Sequence, residues 1–269
     1  MKRWLKMKYK ELDSAIVEVI QSKLHEIEKK QNVKILYAVE SGSRAWGFAS
    51  PDSDYDVRFV YVRPMEHYLS LEEQPDFIEW ELNEILDING WDLSKTLQHV
   101  YKSNATVFEW SNSPIIYTSI PEWEQVRQVS EKYFSCKSAM YHYYATAKKN
   151  FYEYLQEEKV LYKKYFYVLR PILACKWIEK EQVPPPVLFS DLEKAVLEDK
   201  LKESVEQLRN KKIQMTEAEK GEQIESINTY ILQNLAELKE KLEIKKEDRK
   251  REWEPLNQVF RNCLTSLWK

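Results

Sequence analysis

Several features that often reveal a protein's chemistry are scarce in this sequence. Glycine occurs 4 times and cysteine 3 times in 269 residues. The cysteines are too far apart for zinc-binding or disulfide motifs, which is typical of a reducing compartment, and we expect a cytoplasmic location. They are Cys136, Cys175 and Cys263. The four histidines have no HxH or HxxxH spacing, so a histidine-built metal site is not favoured. They are His25, His67, His99 and His142.

Long apolar runs and an excess of basic residues are also missing. No segment approaches the roughly 18 apolar residues that a membrane-spanning helix needs, and the N-terminus has no apolar run of signal-peptide length. We therefore expect no membrane partner. The net charge of −3 means that the molecule as a whole does not attract nucleic acid, so contact with nucleic acid requires a local basic patch.

The apolar residues that are present predict a folded protein of one large domain or two ordinary ones. Hydrophobic residues make up 43% and aromatic residues 13% of the chain, enough for a packed core. Helical and strand patterns alternate up to about residue 120, and helical patterns follow, which predicts an α+β (α/β) fold with a small mixed sheet and then an all-helical part. We place the domains at 1–134 and 135–269.

The stretch from Glu40 to Val62, ESGSRAWGFASPDSDYDVRFVYV, contains two of the few glycines. It follows the predicted strand VKILYAVE and reads as a Gly-Ser turn, a short helix, a second turn and a second strand. Gly42 allows the backbone to approach a ligand closely. Ser43 and Arg44 begin the short helix, whose N–H groups and serine hydroxyl suit phosphate oxygens. We predict that these three residues bind the phosphates of a nucleotide.

Asp54 and Asp56 enter the second strand on either side of Tyr55. Alternate residues of a strand point to the same face, so the two carboxylates form an oxygen-rich pocket suited to Mg²⁺ or Mn²⁺. A cation there offsets the repulsion between the carboxylates. Metal-bound phosphates beside the Gly-Ser turn are the arrangement that nucleotidyl transfer needs, with two ions at the reacting oxygens. The alternative is an ordinary acidic loop whose aspartates close Asx-turns.

The joint pattern, Gly-Ser followed by Asp-x-Asp about ten residues later, resembles the polymerase-β-like nucleotidyltransferase superfamily. Within it, the chain is similar to bacterial and phage nucleotidyltransferases associated with RNA ligases and RNA repair. Further matching stretches are GWDLSKTL, KSNATVFEWSNSPIIY and KKYFYVLRPILACKWI, and the resemblance covers most of residues 35–190. It implies transfer of a nucleoside monophosphate from an NTP to a hydroxyl group, with release of pyrophosphate, and an RNA end as acceptor.

The superfamily usually has a third carboxylate on a neighbouring strand, and two residues qualify. Asp87 lies in the alternating segment EILDING, and we prefer it as the third catalytic and metal-binding carboxylate; otherwise it is a solvated strand-end residue. Asp92 follows Gly90 at the predicted start of a helix, where capping is its ordinary role. The sequence does not decide between them.

The helical half offers cations for the triphosphate or the acceptor. Lys163 and Arg170 are seven residues apart and therefore share a helix face. Similar proteins have a Lys-Lys-Tyr and a downstream arginine here, which implies nucleotide contacts by Lys163, Lys164 and Arg170; the alternative is a solvated helix face. The apolar residues of this helix recur at core spacing; they are Tyr162, Phe166, Leu169, Leu173 and Trp177. The charge-dense C-terminal helices leave a homo-oligomer open.

Two other functions are compatible with the same motif. One is a protein adenylyltransferase, with a tyrosine or serine hydroxyl as acceptor. The other is a nucleotide-binding sensor without turnover, which the intact Asp-x-Asp disfavours because a sensor does not need both carboxylates.

Overall fold

The computed structural model describes residues 13–50, 53–83, 85–214 and 219–268. These described residues form two compact units. The first contains those within 13–45, 54–133 and 250–268, and the second contains those within 46–53 and 134–249. The last helix thus belongs to the first unit, and the segment after the Gly-Ser turn belongs to the second. The domain division at residue 134 stays a prediction.

The helices and strands are numbered along the chain. They are α1 (Ser14–Gln31), β1 (Lys34–Glu40), α2 (Gly42–Trp46), β2 (Tyr55–Val62), α3 (Met65–Tyr68), β3 (Phe77–Leu82), β4 (Leu86–Asp92), α4 (Leu93–Tyr101), α5 (Ala105–Ser111), β5 (Ile116–Ser119), α6 (Pro121–Glu131), α7 (Cys136–Tyr154), β6 (Lys159–Leu161), α8 (Tyr162–Glu181), α9 (Phe189–Val196), α10 (Asp199–Gln214), β7 (Lys220–Glu222), α11 (Glu225–Ile244) and α12 (Glu254–Leu267).

The first unit is built on a mixed sheet that, among the described residues, has five strands in the order β3-β4-β2-β1-β5. Strands β2 and β4 are parallel, and the other neighbours are antiparallel. Because β2 and β4 run in the same direction, their first residues lie at the same edge of the sheet. Asp56 is the register partner of Asp87, so residues that are 31 positions apart in sequence lie side by side.

Both faces of the sheet are covered, which is why β1 is buried along almost its whole length. Alternation in β2 assigns its residues to the two faces. Val57, Phe59 and Tyr61 pack on the side of α1, whereas Val60 and Val62 pack with apolar residues of α4, α6 and α12. Asp56 and Arg58 lie on the same face of β2 as Val60 and Val62. They are at the start of the strand, and the apolar residues of that face follow them.

The second unit is mainly helical, with α8 at its centre. Tyr162, Phe166, Leu169 and Leu173 of this helix are buried, as the core spacing predicts. Trp177, the last residue of the same stripe, is only half-buried. Phe48, from the segment after the Gly-Ser turn, stacks on Phe166 with ring centroids 5.0 Å apart.

The predicted fold class is confirmed, with one addition in the second half. Strands β6 and β7 form a short antiparallel ladder that helical periodicity did not predict, because each contributes only three residues. Gly221 lies in β7, where a Cβ atom would be 2.4 Å from the ring of Tyr162. Within the described residues, no helix combines the length and the apolar character that crossing a membrane requires.

Candidate active site

Gly42 forms the turn between β1 and α2, and its geometry excludes a side chain. Its φ is +58°, in the left-handed region that favours glycine. A Cβ atom on Gly42 would lie 1.9 Å from Oδ2 of Asp56. The preceding residue, Ser41, donates its backbone N–H to the carbonyl oxygen of Asp56 over 2.8 Å. The Gly-Ser turn and the Asp-x-Asp segment therefore meet directly, ten or more residues apart in sequence.

Asp56 and Asp87 lie next to each other on parallel strands, and one guanidinium bridges them. Nη2 of Arg58 is 2.8 Å from Oδ1 of Asp56 and 2.6 Å from Oδ2 of Asp87. The other carboxylate oxygen of Asp87 accepts a 3.1 Å hydrogen bond from the side chain of Asn89. Sequence reasoning missed Arg58, although its position two residues after Asp56 places it on the same strand face.

The charge of Asp56 is governed by opposing effects. Burial raises the pKa of its carboxyl group above the usual range, and the neighbouring Asp54 and Asp87 raise it further. Arg58 acts in the opposite direction through its positive charge and its hydrogen bond. The carboxylate is therefore one that gains from additional positive charge nearby.

Asp54 differs from Asp56 in being exposed and outside any helix or strand. Arg44 connects this segment to α2, because its Nε donates to the carbonyl oxygen of Asp54 over 3.0 Å. The guanidinium of Arg44 also lies 3.8 Å from the ring centroid of Tyr55. Arg44 thus holds the entry to β2 in place, while the carboxylate of Asp54 faces solvent beside Asp56.

Glu40, the last residue of β1, is a fully buried carboxyl group that sequence reasoning also missed. One carboxyl oxygen accepts the backbone N–H of Asp56 over 2.9 Å, and the other accepts the hydroxyl of Tyr117 over 2.5 Å. Burial raises the pKa of Glu40 to about 7, although the hydrogen bonds from Tyr117 and Asp56 oppose this shift. Glu40 therefore fixes the backbone of Asp56 through this hydrogen bond.

Asp92, the alternative third carboxylate, is 1% exposed and serves as the N-cap of α4. It accepts the backbone N–H of Ser94 over 2.7 Å and the hydroxyl of Tyr68 over 2.8 Å. Its register partner is Tyr61, five positions along the strands from the Asp56–Asp87 pair. These contacts are those of a capping residue.

The other predicted nucleotide contacts have different surroundings. Ser43 is buried in α2, which has only five residues, so its helix dipole is small. In the second unit, Lys164 places Nζ 3.6 Å from the ring centroid of Tyr154. Arg170 is 3% exposed, and its Nε donates to the carbonyl oxygen of Val187 over 3.1 Å. Nucleotide contacts by Lys163, Lys164 and Arg170 stay predictions, and Arg170 lies in the interior of the unit.

The donor atoms of this site are of the type that Mg²⁺ and Mn²⁺ prefer. Among the described residues, no group of three or more His, Cys, Asp or Glu side chains is arranged to hold a metal ion by itself. Mg²⁺ usually keeps several waters and binds through one or two carboxylates together with substrate phosphates. Asp54 and Asp56, beside a turn whose glycine has no side chain, supply carboxylates for this mode of binding.

Comparison with known proteins agrees with this geometry. A family model described as RlaP, RNA repair pathway DNA polymerase beta family, matches residues 16–262. The chain belongs to this family. It is 42% identical over 252 residues to "Uncharacterized protein YcgL" of Bacillus subtilis (strain 168), which covers 93% of this chain and 97% of that protein. The resemblance to polymerase-β-like nucleotidyltransferases is thereby confirmed.

A crystal structure of a nucleotidyltransferase-like protein from Exiguobacterium sibiricum 255-15 is also similar. It is 12% identical, covers 92% of this chain and 80% of that chain, and has a TM-score of 0.29. The family model and the Bacillus subtilis relative show the family.

Replacing Gly42 with alanine is expected to damage the site because the new Cβ atom and Oδ2 of Asp56 occupy the same space. Left-handed backbone costs alanine about 1–2 kcal/mol, and displacing a reacting group by about 1 Å lowers a rate by roughly 100-fold. Chemical unfolding and nucleotidyl transfer measure the two effects.

Gly47→Ala is the matched control for Gly42→Ala. Gly47 also has a positive φ, +82°, but among the described residues its added Cβ would meet only the side chain of Leu188, at 3.1 Å. We expect a similar loss of stability with transfer retained. Equal losses of transfer in both variants would show that the contact between Gly42 and Asp56 has no special importance.

Glu40 is expected to make folding stability depend on pH. Its pKa is raised in the folded protein from 4.5 to about 7, so its favourable contribution is complete below pH 4.5 and is lost as the pH rises through 7. Relative to Glu40→Gln, the wild type should lose on the order of 3 kcal/mol between these limits. Urea unfolding in EDTA at several pH values measures the difference; a constant difference would contradict this assignment.

Proposed function

We propose that this protein transfers a nucleoside monophosphate from an NTP to a hydroxyl group, releases pyrophosphate, and uses an RNA end as acceptor. One observation carries the proposal: Asp56 lies beside Asp87 on parallel strands, while the backbone of Gly42 meets the same carboxylate. This arrangement brings together acidic groups and a backbone turn without a side chain, as phosphate transfer through a bound cation requires.

Asp54 and Asp56 are the proposed ligands of Mg²⁺ or Mn²⁺. Such an ion, when bound, neutralises negative charge on the transferring phosphoryl group. The absence of a side chain on Gly42 leaves space for the Asp56 carboxylate. The backbone of Gly42, with Ser43 and Arg44 in the same turn, is proposed to contact the phosphates. The raised pKa of Asp56 supports the proposal, because a carboxylate whose charge is poorly compensated gains from a cation.

Asp87 is proposed to orient the acceptor hydroxyl and to receive its proton. Its position beside Asp56 supports this role, since the acceptor oxygen must approach the phosphorus atom next to the ion. Arg58 and Asn89 hold its carboxylate by hydrogen bonds. Asp92 is proposed to have only its capping role.

An RNA acceptor is supported by the family description, which refers to an RNA repair pathway. Because the net charge is −3, RNA binding depends on local cations, for which Lys163 and Lys164 are the candidates. Cations among aromatic rings are typical of surfaces that bind single strands. The cytoplasmic location and a homo-oligomer formed through the C-terminal helices stay predictions.

The test uses α-labelled ATP, CTP, GTP and UTP, each with Mg²⁺ or Mn²⁺ and short RNAs that have 3′-hydroxyl ends. A parallel set contains cell extract, and an Asp54→Ala/Asp56→Ala variant is the control. Label on RNA that the variant fails to incorporate is the expected result, and it identifies the nucleotide.

Two other outcomes of this experiment would indicate a different function. Label on a polypeptide instead of RNA would indicate a protein adenylyltransferase. Nucleotide binding without transfer to any acceptor would overturn the proposal in favour of a sensor.

A further inference from the structure

Arg58 is held in one position by several hydrogen bonds. Besides its contacts with Asp56 and Asp87, it donates through Nη1 to the carbonyl oxygen of Asp87 over 2.8 Å and to that of Val57 over 3.1 Å. Its side chain is 15% exposed. A planar guanidinium with donors in fixed directions suits this bridging role better than the point charge of lysine.

The four carboxylate oxygens of Asp56 and Asp87 have distinct surroundings. Oδ1 of Asp56 and Oδ2 of Asp87 contact Arg58, and Oδ1 of Asp87 accepts from Asn89. Oδ2 of Asp56 lies on the side of Gly42. An ion that binds Asp54 and Oδ2 of Asp56 leaves these hydrogen bonds intact, whereas an ion between Asp56 and Asp87 competes with Arg58 for the same oxygens.

We propose that Arg58 takes the place of a second cation, so that this active site binds a single divalent ion, at Asp54 and Oδ2 of Asp56. The inference rests on the proposed function of the site. One divalent ion together with Arg58 balances the charge of the three carboxylates. A second ion must displace a guanidinium that four hydrogen bonds hold, or bind beside a positive charge.

Coulomb repulsion from Arg58 is large enough to weaken the binding of a second ion in the nucleotide-free site. At about 4 Å near a protein surface, the interaction of two unit charges changes an affinity by well over tenfold. The two-ion arrangement expected from the sequence is therefore replaced by one ion and one arginine.

Binding of Mn²⁺ alone tests this inference without an activity measurement. The signal of free Mn²⁺ in electron paramagnetic resonance gives the number of ions bound per chain. We expect one for the wild type and two for Arg58→Gln, with the second ion at least about tenfold tighter than in the wild type. Adding Asp87→Asn to Arg58→Gln should return the number to one.

Two further variants separate charge from folding. Arg58→Lys keeps the positive charge and should bind one ion, and Arg127→Gln, which removes an exposed paired arginine elsewhere, should also bind one. Thermal unfolding in EDTA and in Mn²⁺ checks that each variant is folded, and an Arg58→Gln chain that folds only with Mn²⁺ supports the inference.

The inference is overturned if the wild type binds two ions or none, or if folded Arg58→Gln binds only one. Its failure is distinguishable from failure of the proposed function. A protein with the expected ion numbers that transfers no nucleotide contradicts the transferase proposal alone.

Discussion

Asp56→Asn is expected to lower nucleotidyl transfer by about 10³-fold or more, because metal-assisted charge stabilisation contributes several kcal/mol. The variant keeps the size of the side chain but removes a carboxylate that borders Gly42, Arg58 and Asp54. Stability should change less than activity, since burial raises the pKa of Asp56 and neutralising it relieves that cost. Single-turnover transfer and urea unfolding measure the two quantities.

Asp76→Asn is the matched control for Asp56→Asn. Asp76 is an exposed carboxylate of the same unit that pairs with Lys95 over 2.7 Å, outside the candidate site. We expect transfer close to that of the wild type. Loss of less than about tenfold in Asp56→Asn would mean that its carboxylate holds no ion during the reaction.

Substitutions of Asp87 and Asp92 are expected to affect different properties, transfer activity for Asp87 and folding stability for Asp92. Asp87→Asn should lower transfer by at least about 100-fold, the usual contribution of a positioned acid or base. Arg58 still pairs with Asp56 in this variant, so the free energy of unfolding changes little. Asp92→Ala loses the N-cap of α4 and leaves the Tyr68 hydroxyl without its acceptor, which should lower stability by at least about 2 kcal/mol.

Asp92→Asn completes this comparison. It keeps an oxygen for the cap and removes a charge whose burial raises the pKa of Asp92, so most of the stability should return. Transfer per folded molecule should stay near the wild-type value in both Asp92 variants. A strong loss of transfer in folded Asp92→Asn, with Asp87→Asn active, would reverse the assignment of the two residues.

The local elements around the site were predictable from sequence. Strands β1 and β2 follow alternating and apolar patterns, and the short helix after Gly42 follows from its position between two turns. The pairing of Asp56 with Asp87 was an expectation from family resemblance. Periodicity alone does not give strand order, which depends on contacts between distant segments.

Glu40 and Arg58 show what sequence reasoning leaves out. Glu40 reads as the polar end of a strand, and its burial depends on Tyr117 of β5, which is 77 positions away. In the sequence, Arg58 is one residue of an alternating strand. Its contact with Asp87 can be recognised only when β4 is known to lie beside β2. The ladder of β6 with β7 was missed for another reason, because three-residue strands have too short a pattern.

The division into compact units is another tertiary property. Residues 46–53 separate the Gly-Ser turn from Asp54, yet their described part belongs to the second unit. No change of composition in the sequence shows that this segment belongs to the second unit. The stacking of Phe48 on Phe166 is a contact that only the structure reveals.

The most direct test of the central claim is anomalous diffraction from crystals soaked with Mn²⁺ and an α,β-methylene NTP analogue. We expect one manganese peak bound by Asp54 and Oδ2 of Asp56, with the triphosphate against Gly42 and Arg58 still bridging Asp56 and Asp87. Bound analogue with manganese absent from these carboxylates, or with the triphosphate away from Gly42, would contradict the account.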